Sequence, residues 1–169
     1  MSLAVAVVAA LTLVMPASAS ERELLRASAL ESSILAQINV VRAQHGKRPL
    51  RLSPALSAAA RSHSQAMASK GFFSHDSANG SSFSKRVRKW YGPKGHRSWA
   101  AGENLLWRSP DIDAAAAVQM WMESPPHRAN LLHAGWREVG LGAIHAYAAP
   151  GAFGGLEVTV VTADFGART

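Results

Sequence analysis

Three short segments of the chain carry the side chains best suited to chemistry. His75 ends the segment GFFSH, Glu103 lies in GENL, and His127 lies in SPPHRANLL. Two neutral imidazoles can each bind Zn²⁺ through one nitrogen while a carboxylate and water complete the shell. The carboxylate could instead orient an imidazole N–H. A third possibility is that Glu103 accepts hydrogen bonds from buried backbone donors and the histidines, without any metal.

The spacing of these residues does not by itself define a site. The two histidines lie far apart in the sequence, and no His-Glu-x-x-His helix places two ligands on one face. The chain has no cysteine, which excludes thiol catalysis and thiolate metal sites. It also has no Gly-x-Ser-x-Gly turn of the kind that holds a serine nucleophile. Any site must therefore be assembled by the fold from distant segments.

Taken together and in this order, the FSH, GENL and SPPHRANLL segments resemble the bacterial branch of the CAP superfamily, which has the SCP-like domain of cysteine-rich secretory and pathogenesis-related proteins. The resemblance covers residues 34–166. It begins near INVVR, where the family's first helix has a similar Asn-x-x-Arg, and it ends at TADFG. It implies an α+β fold, namely a three-layer α-β-α sandwich with a central antiparallel sheet and one open cleft.

The resemblance also assigns the cleft residues one at a time. His75 matches the first cleft histidine, Glu103 the acid of the Gly-Glu-Asn element, and His127 the second histidine. Glu123 is the nearest candidate for a second cleft acid. His75 and His127 are the candidate metal ligands, for Zn²⁺ or another divalent cation. Pro126 stands where relatives commonly have glycine, and its fixed φ angle predicts a stiffer turn before His127.

Hydrophobic periodicity predicts the two long helices that precede these segments. A first helix is predicted over residues 21–44, with one apolar face formed by Leu30, Ile34, Ile38 and Val41. Ser53 and Pro54 begin a second helix, and Gly71 ends it. Its inner face includes His63, which we interpret as a hydrogen-bonded packing residue rather than a ligand.

A short amphipathic helix is predicted around residues 83–91. One face carries Phe83, Val87, Trp90 and Tyr91, and the other carries Lys85, Arg86, Arg88 and Lys89. Such a helix could contact anionic lipid through its basic residues. The alternative is a helix that packs on the core and leaves its basic face in water.

The second half of the chain changes from helical to strand periodicity. Residues 98–108 are predicted to be a loop leading into a strand, and Pro110 and Asp111 to open an alanine-rich helix that ends near Glu123. Strands are predicted around residues 139–144 and 158–161, joined by a glycine-rich turn. Helices mainly first and antiparallel strands mainly late indicate a layered α+β domain.

Length and charge limit the classes of function. After removal of a leader, about 150 residues remain, which is enough for one domain with its own core. The net charge of +7 would attract the protein to anionic lipids or wall polymers. The basic residues are scattered, which is typical of a solvated surface, so no specific nucleic-acid site is predicted. No transmembrane span is expected once the leader is removed.

The interpretation that combines these features is a secreted or periplasmic binding module rather than an enzyme. Its cleft would engage an extracellular lipid, sterol, peptide or cell-envelope component. The alternative is a metal-assisted hydrolase, in which His75 and His127 hold Zn²⁺ and Glu103 acts as base on the metal-bound water. Two neutral ligands favour the first hypothesis, because a catalytic zinc usually has three protein ligands. A third hypothesis is an interaction protein with a vestigial cleft.

The N-terminus predicts export. Residues 1–20 contain no charged side chain, and an apolar run from Leu3 to Met15 precedes the small residues Ala17-Ser18-Ala19. We therefore expect a signal peptide over residues 1–19, cleaved after Ala19. Mass spectrometry of secreted protein should find Ser20 at the N-terminus. Intact Met1 in the culture supernatant would instead indicate a retained leader, the alternative left open because no Lys or Arg lies near Met1.

Overall fold

The protein is described by a computed structural model that covers residues 18–169. The predicted leader lies outside the described residues except for Ser18 and Ala19. The elements follow the chain in the order α1 (Ala19–Gln44), β1 (Arg51–Leu52), α2 (Pro54–Lys70), α3 (Phe83–Tyr91), β2 (Trp99–Arg108), α4 (Ala114–Glu123), α5 (Pro125–Leu131), β3 (Glu138–Ala149) and β4 (Leu156–Arg168). A short 3₁₀ helix, Gly151–Phe153, joins the last two strands.

The four strands form one sheet in the order β1-β3-β4-β2. β4 pairs antiparallel with β3 on one side and with β2 on the other. Only the short β1 runs parallel to its neighbour, at the start of β3. The predicted central antiparallel sheet is therefore confirmed apart from β1. The strand β2, which carries Glu103, lies at one edge of the sheet.

Helices cover both faces of this sheet. On one face α2 packs directly on β3, where a Cβ at Gly140 would lie 2.0 Å from the backbone of Leu56. On the opposite face α1 and α4 pack on the alternate strand residues, in a cluster that includes Ile34, Trp121 and Leu141. The predicted three-layer α-β-α sandwich is confirmed.

The inner face of α1 is less apolar than predicted. Ile34 and Ile38 are fully buried, but Glu31 and Arg42 are buried beside them. Glu31 binds Arg61 of α2 and also accepts the backbone N–H of Ala143 at 3.0 Å. The Glu31 side chain therefore connects α1 both to α2 in the other helical layer and to strand β3 of the sheet.

Arg42 fastens the C-terminal end of α1 to two other segments. Its Nε donates to the carbonyl of Arg48 at 2.9 Å, and its Nη1 donates to the carbonyls of Leu131 at 2.6 Å and His133 at 3.2 Å. Asn39, one turn earlier, exchanges two hydrogen bonds with the backbone of Leu50. The Asn-x-x-Arg pair thus holds the segment before β1 and the end of α5.

The boundaries of α3 match the predicted amphipathic helix, and its apolar face turns inward. Val87 and Tyr91 are fully buried and cluster with Leu56 of α2, while Phe83 packs against them. Trp90 differs from the prediction, because 42% of its surface remains exposed. α3 therefore has few exposed apolar side chains with which it could contact a membrane.

Two predicted boundaries are wrong. Residues 98–108 are not a loop leading into a strand, because Trp99–Arg108 pairs with β4 along its whole length. The next helix begins at Ala114 rather than at Pro110 or Asp111, because the Asp113 side chain accepts the N–H of Ala116 at 2.8 Å and forms the N-cap.

Two buried indoles should be the most costly aromatic side chains to remove near the site. Trp121 is 1% exposed and Trp136 is 7% exposed, and each donates its Nε1–H to a backbone carbonyl. We expect Trp121→Ala or Trp136→Ala to lower the free energy of unfolding by about 3–5 kcal/mol. Urea denaturation measures this, with the exposed Trp90→Ala as the control. Free energies of unfolding within about 0.5 kcal/mol of wild type for both variants would contradict the packing.

Candidate functional site

A buried carboxylate lies at the centre of the site. Glu103 projects from the edge strand β2, and its Oε1 accepts a hydrogen bond from His75 Nδ1 at 2.8 Å. Its Oε2 accepts a hydrogen bond from the guanidinium of Arg86. Both oxygens are therefore occupied, and the His75 ring is oriented with its Nδ1–H toward the acid.

Arg86 is a site residue that the sequence analysis placed on the basic surface of α3. It is buried, and besides Glu103 it donates to the carbonyl of His75 at 2.8 Å and to Ser77 Oγ at 3.4 Å. Its position three residues after Phe83 places it beside the inner face of the helix. This spacing from Phe83 could have indicated that Arg86 lies near the buried face of α3. The neighbouring basic residues instead suggested a solvent-exposed face.

The segment that carries His75 is held at both ends. It follows Gly71, whose φ of +69° and close approach to Pro150 leave no room for a Cβ. The carbonyl of Gly71 accepts the N–H of Ala152 at 2.9 Å. His63 Nε2 lies 2.9 Å from the carbonyl of Ser74 and is fully buried, as predicted for a hydrogen-bonded packing residue.

Two other residues of the GENL segment, Gly102 and Asn104, position the helix α5. Asn104 Nδ2 donates to the carbonyl of His127 at 3.0 Å, and Asn104 Oδ1 accepts from Asn130 at 3.0 Å. A Cβ at Gly102 would lie 2.5 Å from Asn130 Oδ1 and 2.7 Å from Trp136. Neighbouring residues of one strand thus position the acid on one face of the sheet and the second histidine on the other.

Two prolines begin the helix that carries His127. Pro125 and Pro126 are the first residues of α5, where a backbone N–H has no intrahelical acceptor. Proline therefore costs this helix no hydrogen bond. Pro126 therefore lies in the first turn of a helix, whereas the sequence predicted a stiffened turn at this position.

Asp164 is the second residue that the sequence analysis missed. It lies directly opposite Glu103 in the ladder between β2 and β4 and is fully buried. Neither of its oxygens accepts a hydrogen bond from a donor of the described residues, and the Glu103 carboxylate is the acceptor available to a protonated Asp164. Burial, together with the negative charge of Glu103, raises the pKa of Asp164 well above its usual range. Its environment therefore favours the neutral form of the Asp164 carboxyl.

The two cleft histidines have opposite tendencies. The hydrogen bond to Glu103 raises the pKa of His75 above its ordinary value. Burial, and then the charge of His75, lower the pKa of His127. His75 thus favours the imidazolium form and His127 the neutral form.

The fourth predicted cleft residue has a different environment. Glu123 is the last residue of α4 and is exposed. Its Oε1 accepts a hydrogen bond from Gln119 of the same helix at 2.9 Å. Its place in the cleft stays a prediction.

An apolar cavity of about 300 Å³ opens beside His127, along the edge strand β2. We call it the edge groove, and it is lined by Phe73, Leu105, Leu106, Trp107, Met120, Trp121, Ser124 and His127. Its walls come from the His75 segment on one side of the sheet and from α4 and α5 on the other. Phe73 is 39% exposed at its rim.

The donor set does not fit a catalytic zinc. Within residues 18–169, no group of three or more His, Cys, Asp or Glu side chains is arranged to hold a metal ion. Glu103 already accepts hydrogen bonds from His75 and Arg86. Only the imidazoles of His75 and His127 remain as candidate ligands, whereas a catalytic zinc usually has three protein ligands.

Comparison with known proteins agrees with this architecture. The family model described as CAP, the cysteine-rich secretory protein family, matches residues 35–164. The chain belongs to the CAP family. Two relatives from Bacillus subtilis (strain 168) are each 32% identical: the uncharacterized membrane protein YlbC over 118 residues, 69% of this chain, and the uncharacterized protein YkwD over 122 residues, 70% of this chain. The matched segments cover 32% of YlbC and 44% of YkwD.

Solved structures have the same CAP fold. An extracellular protein from Bacillus anthracis str. Ames that contains an SCP domain has a TM-score of 0.69 and 25% identity, covering 89% of this chain and 44% of that one. An outer surface protein of Borrelia burgdorferi has a TM-score of 0.63 and 18% identity, covering 80% of this chain and 90% of that one. In the part of this chain that the structure describes, no helix is both long and apolar enough to cross a membrane.

The raised pKa of Asp164 predicts how the stability of the fold depends on pH. The pKa of Asp164 is higher in the folded state than its unfolded value of about 3.9. The free energy of unfolding of the wild type should therefore fall as the pH rises between these two pKa values. Asp164→Asn keeps the shape of the neutral acid and removes this dependence. Between about pH 5 and about pH 8, urea midpoints of the variant should rise relative to those of wild type.

The exposed Asp111→Asn is the matched control and should follow wild type at both pH values. An Asp164→Asn variant whose midpoint changes with pH in parallel with wild type would show that Asp164 is ionised in the folded protein.

Proposed function

We propose that this CAP domain is a secreted binding module, not an enzyme, whose ligand occupies the edge groove and contacts the polar cluster of His75, Glu103 and His127. The observation that carries the proposal is that the groove is lined both by His127 and by Phe73, which lies two residues before His75 in the same segment. A ligand with an apolar segment and one polar group fits this arrangement. Lipids, sterols, apolar peptides and cell-envelope components all offer that combination.

The chemistry of the groove supports binding. Its volume of about 300 Å³ lies at the lower end of the range for ligand sites, and most of its lining is aliphatic or aromatic. The neutral tendency of His127 leaves its ring able to donate one hydrogen bond and accept another. The rim residue Phe73 would lose exposed apolar surface when a ligand binds, which favours association.

The state of Glu103 argues against the hydrolase alternative. A general base must accept a proton from water, but each oxygen of Glu103 already accepts a hydrogen bond, one from His75 and the other from Arg86. The donor set also lacks a third protein ligand for zinc. Binding of a divalent cation by His75 and His127 alone remains part of the proposal and is tested below.

Two separate observations support export. The leader has the apolar run and small residues of a signal peptide. The Bacillus anthracis protein is described as extracellular, and the Borrelia protein as an outer surface protein. A ligand at the cell surface or in the envelope is consistent with both.

A fluorescent fatty acid, cis-parinaric acid, tests the edge groove. We expect the wild-type protein to bind it, and Phe73→Ser to weaken binding about tenfold, because part of the aromatic contact area is lost. Tyr147→Ser is the matched control, since Tyr147 is 68% exposed and lies outside the groove. The measurement is a fluorescence titration. Equal affinities for wild type and Phe73→Ser would contradict an apolar ligand in the edge groove.

A second set of measurements separates binding from hydrolysis. Calorimetric zinc titration of wild type, His75→Ala and His127→Ala should give heat in the first and lose it in both variants if the imidazoles share an ion. We expect no zinc-dependent peptidase or esterase activity in any of them. Hydrolysis that requires zinc, His75 and His127 together would establish the alternative function.

A further inference from the structure

A second cavity lies between α2, α3 and the loop of residues 77–81. Its volume is about 370 Å³, within the range of about 300–1,000 Å³ typical of ligand sites. We call it the α2–α3 groove. The residues that matter for its chemistry are Lys70, Ser77, Asn79, Ser81, Lys89 and Trp90. It shares no lining residue with the edge groove.

The α2–α3 groove is positively charged. Lys70 and Lys89 are exposed at its rim, and neither has an ion-pair partner among the described residues. Arg86 also lines it, but the charge of Arg86 is balanced by Glu103. No acidic residue of the described chain lines the groove. The two lysines therefore leave a net positive charge that an anionic ligand would neutralise.

The polar lining includes groups suited to hydroxyl-bearing ligands. The loop of Ser77, Asn79 and Ser81 is closed by its own backbone hydrogen bonds, including Ser77 N–H to the carbonyl of Ser81 at 2.9 Å. This loop presents hydroxyl and amide side chains that can both donate and accept hydrogen bonds. The array is therefore preformed before any ligand arrives.

Trp90 supplies an aromatic surface at the rim. Its side chain is 42% exposed, whereas the other aromatic residue at the C-terminal end of α3, Tyr91, is fully buried. An exposed indole offers a flat apolar surface against which the C–H face of a pyranose ring can pack. One exposed aromatic side chain in a groove that also has two lysines matches a sugar ring bearing an anionic group better than a lipid bilayer, because the other apolar residues of α3 face the core.

We propose that the α2–α3 groove is a binding site for an acidic oligosaccharide. A sugar ring packs on Trp90, its carboxylate or sulfate lies between Lys70 and Lys89, and its hydroxyls bond to the side chains of the 77–81 loop. The site is separate from the edge groove, so it does not rest on the function proposed above.

Trigalacturonate and a heparin-derived tetrasaccharide are suitable anionic probes, and maltotriose is the neutral counterpart of trigalacturonate. We expect the wild-type protein to bind at least one anionic probe about tenfold more tightly than maltotriose in calorimetry at low salt. Lys70→Ala/Lys89→Ala should weaken that binding about tenfold or more, since two charge contacts are lost. Trp90→Ala should weaken binding, and Trp90→Phe should restore much of it.

Lys85→Ala/Arg88→Ala is the matched control. It removes the same net charge from exposed positions of α3 that do not line the α2–α3 groove. We expect this double variant to bind the probe like wild type, and Phe73→Ser and His127→Ala to do the same. These last two variants distinguish the α2–α3 groove from the edge groove.

Three outcomes would overturn the proposal. The first is that neither anionic probe binds. The second is that the two double variants lose the same affinity, which would show attraction by net charge alone. The third is that the protein binds phosphatidylglycerol vesicles through Lys70, Lys89 and Trp90 but binds no saccharide, which would make this surface a membrane contact.

Discussion

The arrangement of the site depends on one buried carboxylate. A carboxylate removed from water is strongly destabilising unless charged and hydrogen-bonding partners accompany it. Glu103 meets that requirement with Arg86 from α3 and His75 from the segment after α2. Because Arg86 also holds the carbonyl of His75, the acid, the helix and the loop are fixed together. Strand β2, helix α3 and the segment after α2 therefore meet at Glu103, and this meeting point fixes the position of the site.

Asp164 completes the charge balance around Glu103. Two ionised carboxylates side by side in a buried ladder would repel each other, so only one can carry a charge. Arg86 pairs with Glu103 and not with Asp164, which lies opposite Glu103 on the next strand, and burial beside Glu103 raises the pKa of Asp164. The site thus has one buried anion with a guanidinium and an imidazole in contact with it. The charges of Glu103 and Arg86 offset each other beneath a half-exposed His75.

The sequence was sufficient for α1, α2 and α3, whose periodicity and capping residues are local signals, and its motifs led to the layered fold through the family resemblance. It did not predict the helix α5, which was expected to be a turn. Arg86 and Asp164 could not be identified in the same way. The burial of Arg86 depends on Glu103 as a partner from another element. The role of Asp164 depends on the register of β2 against β4, which residue spacing does not reveal. Trp90 was expected on a buried face, but the packing of Tyr91 and Val87 against Leu56 leaves it outside.

The contact between Glu31 and Ala143 has a consequence for self-association. β1 covers only the beginning of β3, so the rest of that strand is an open edge able to recruit a strand from another molecule. Glu31 occupies the N–H of Ala143, and Ser57 Oγ lies 3.4 Å from the N–H of Leu141. Arg61 holds Glu31 in position over this edge. Side chains of α1 and α2 thus protect an unpaired strand from edge-to-edge aggregation.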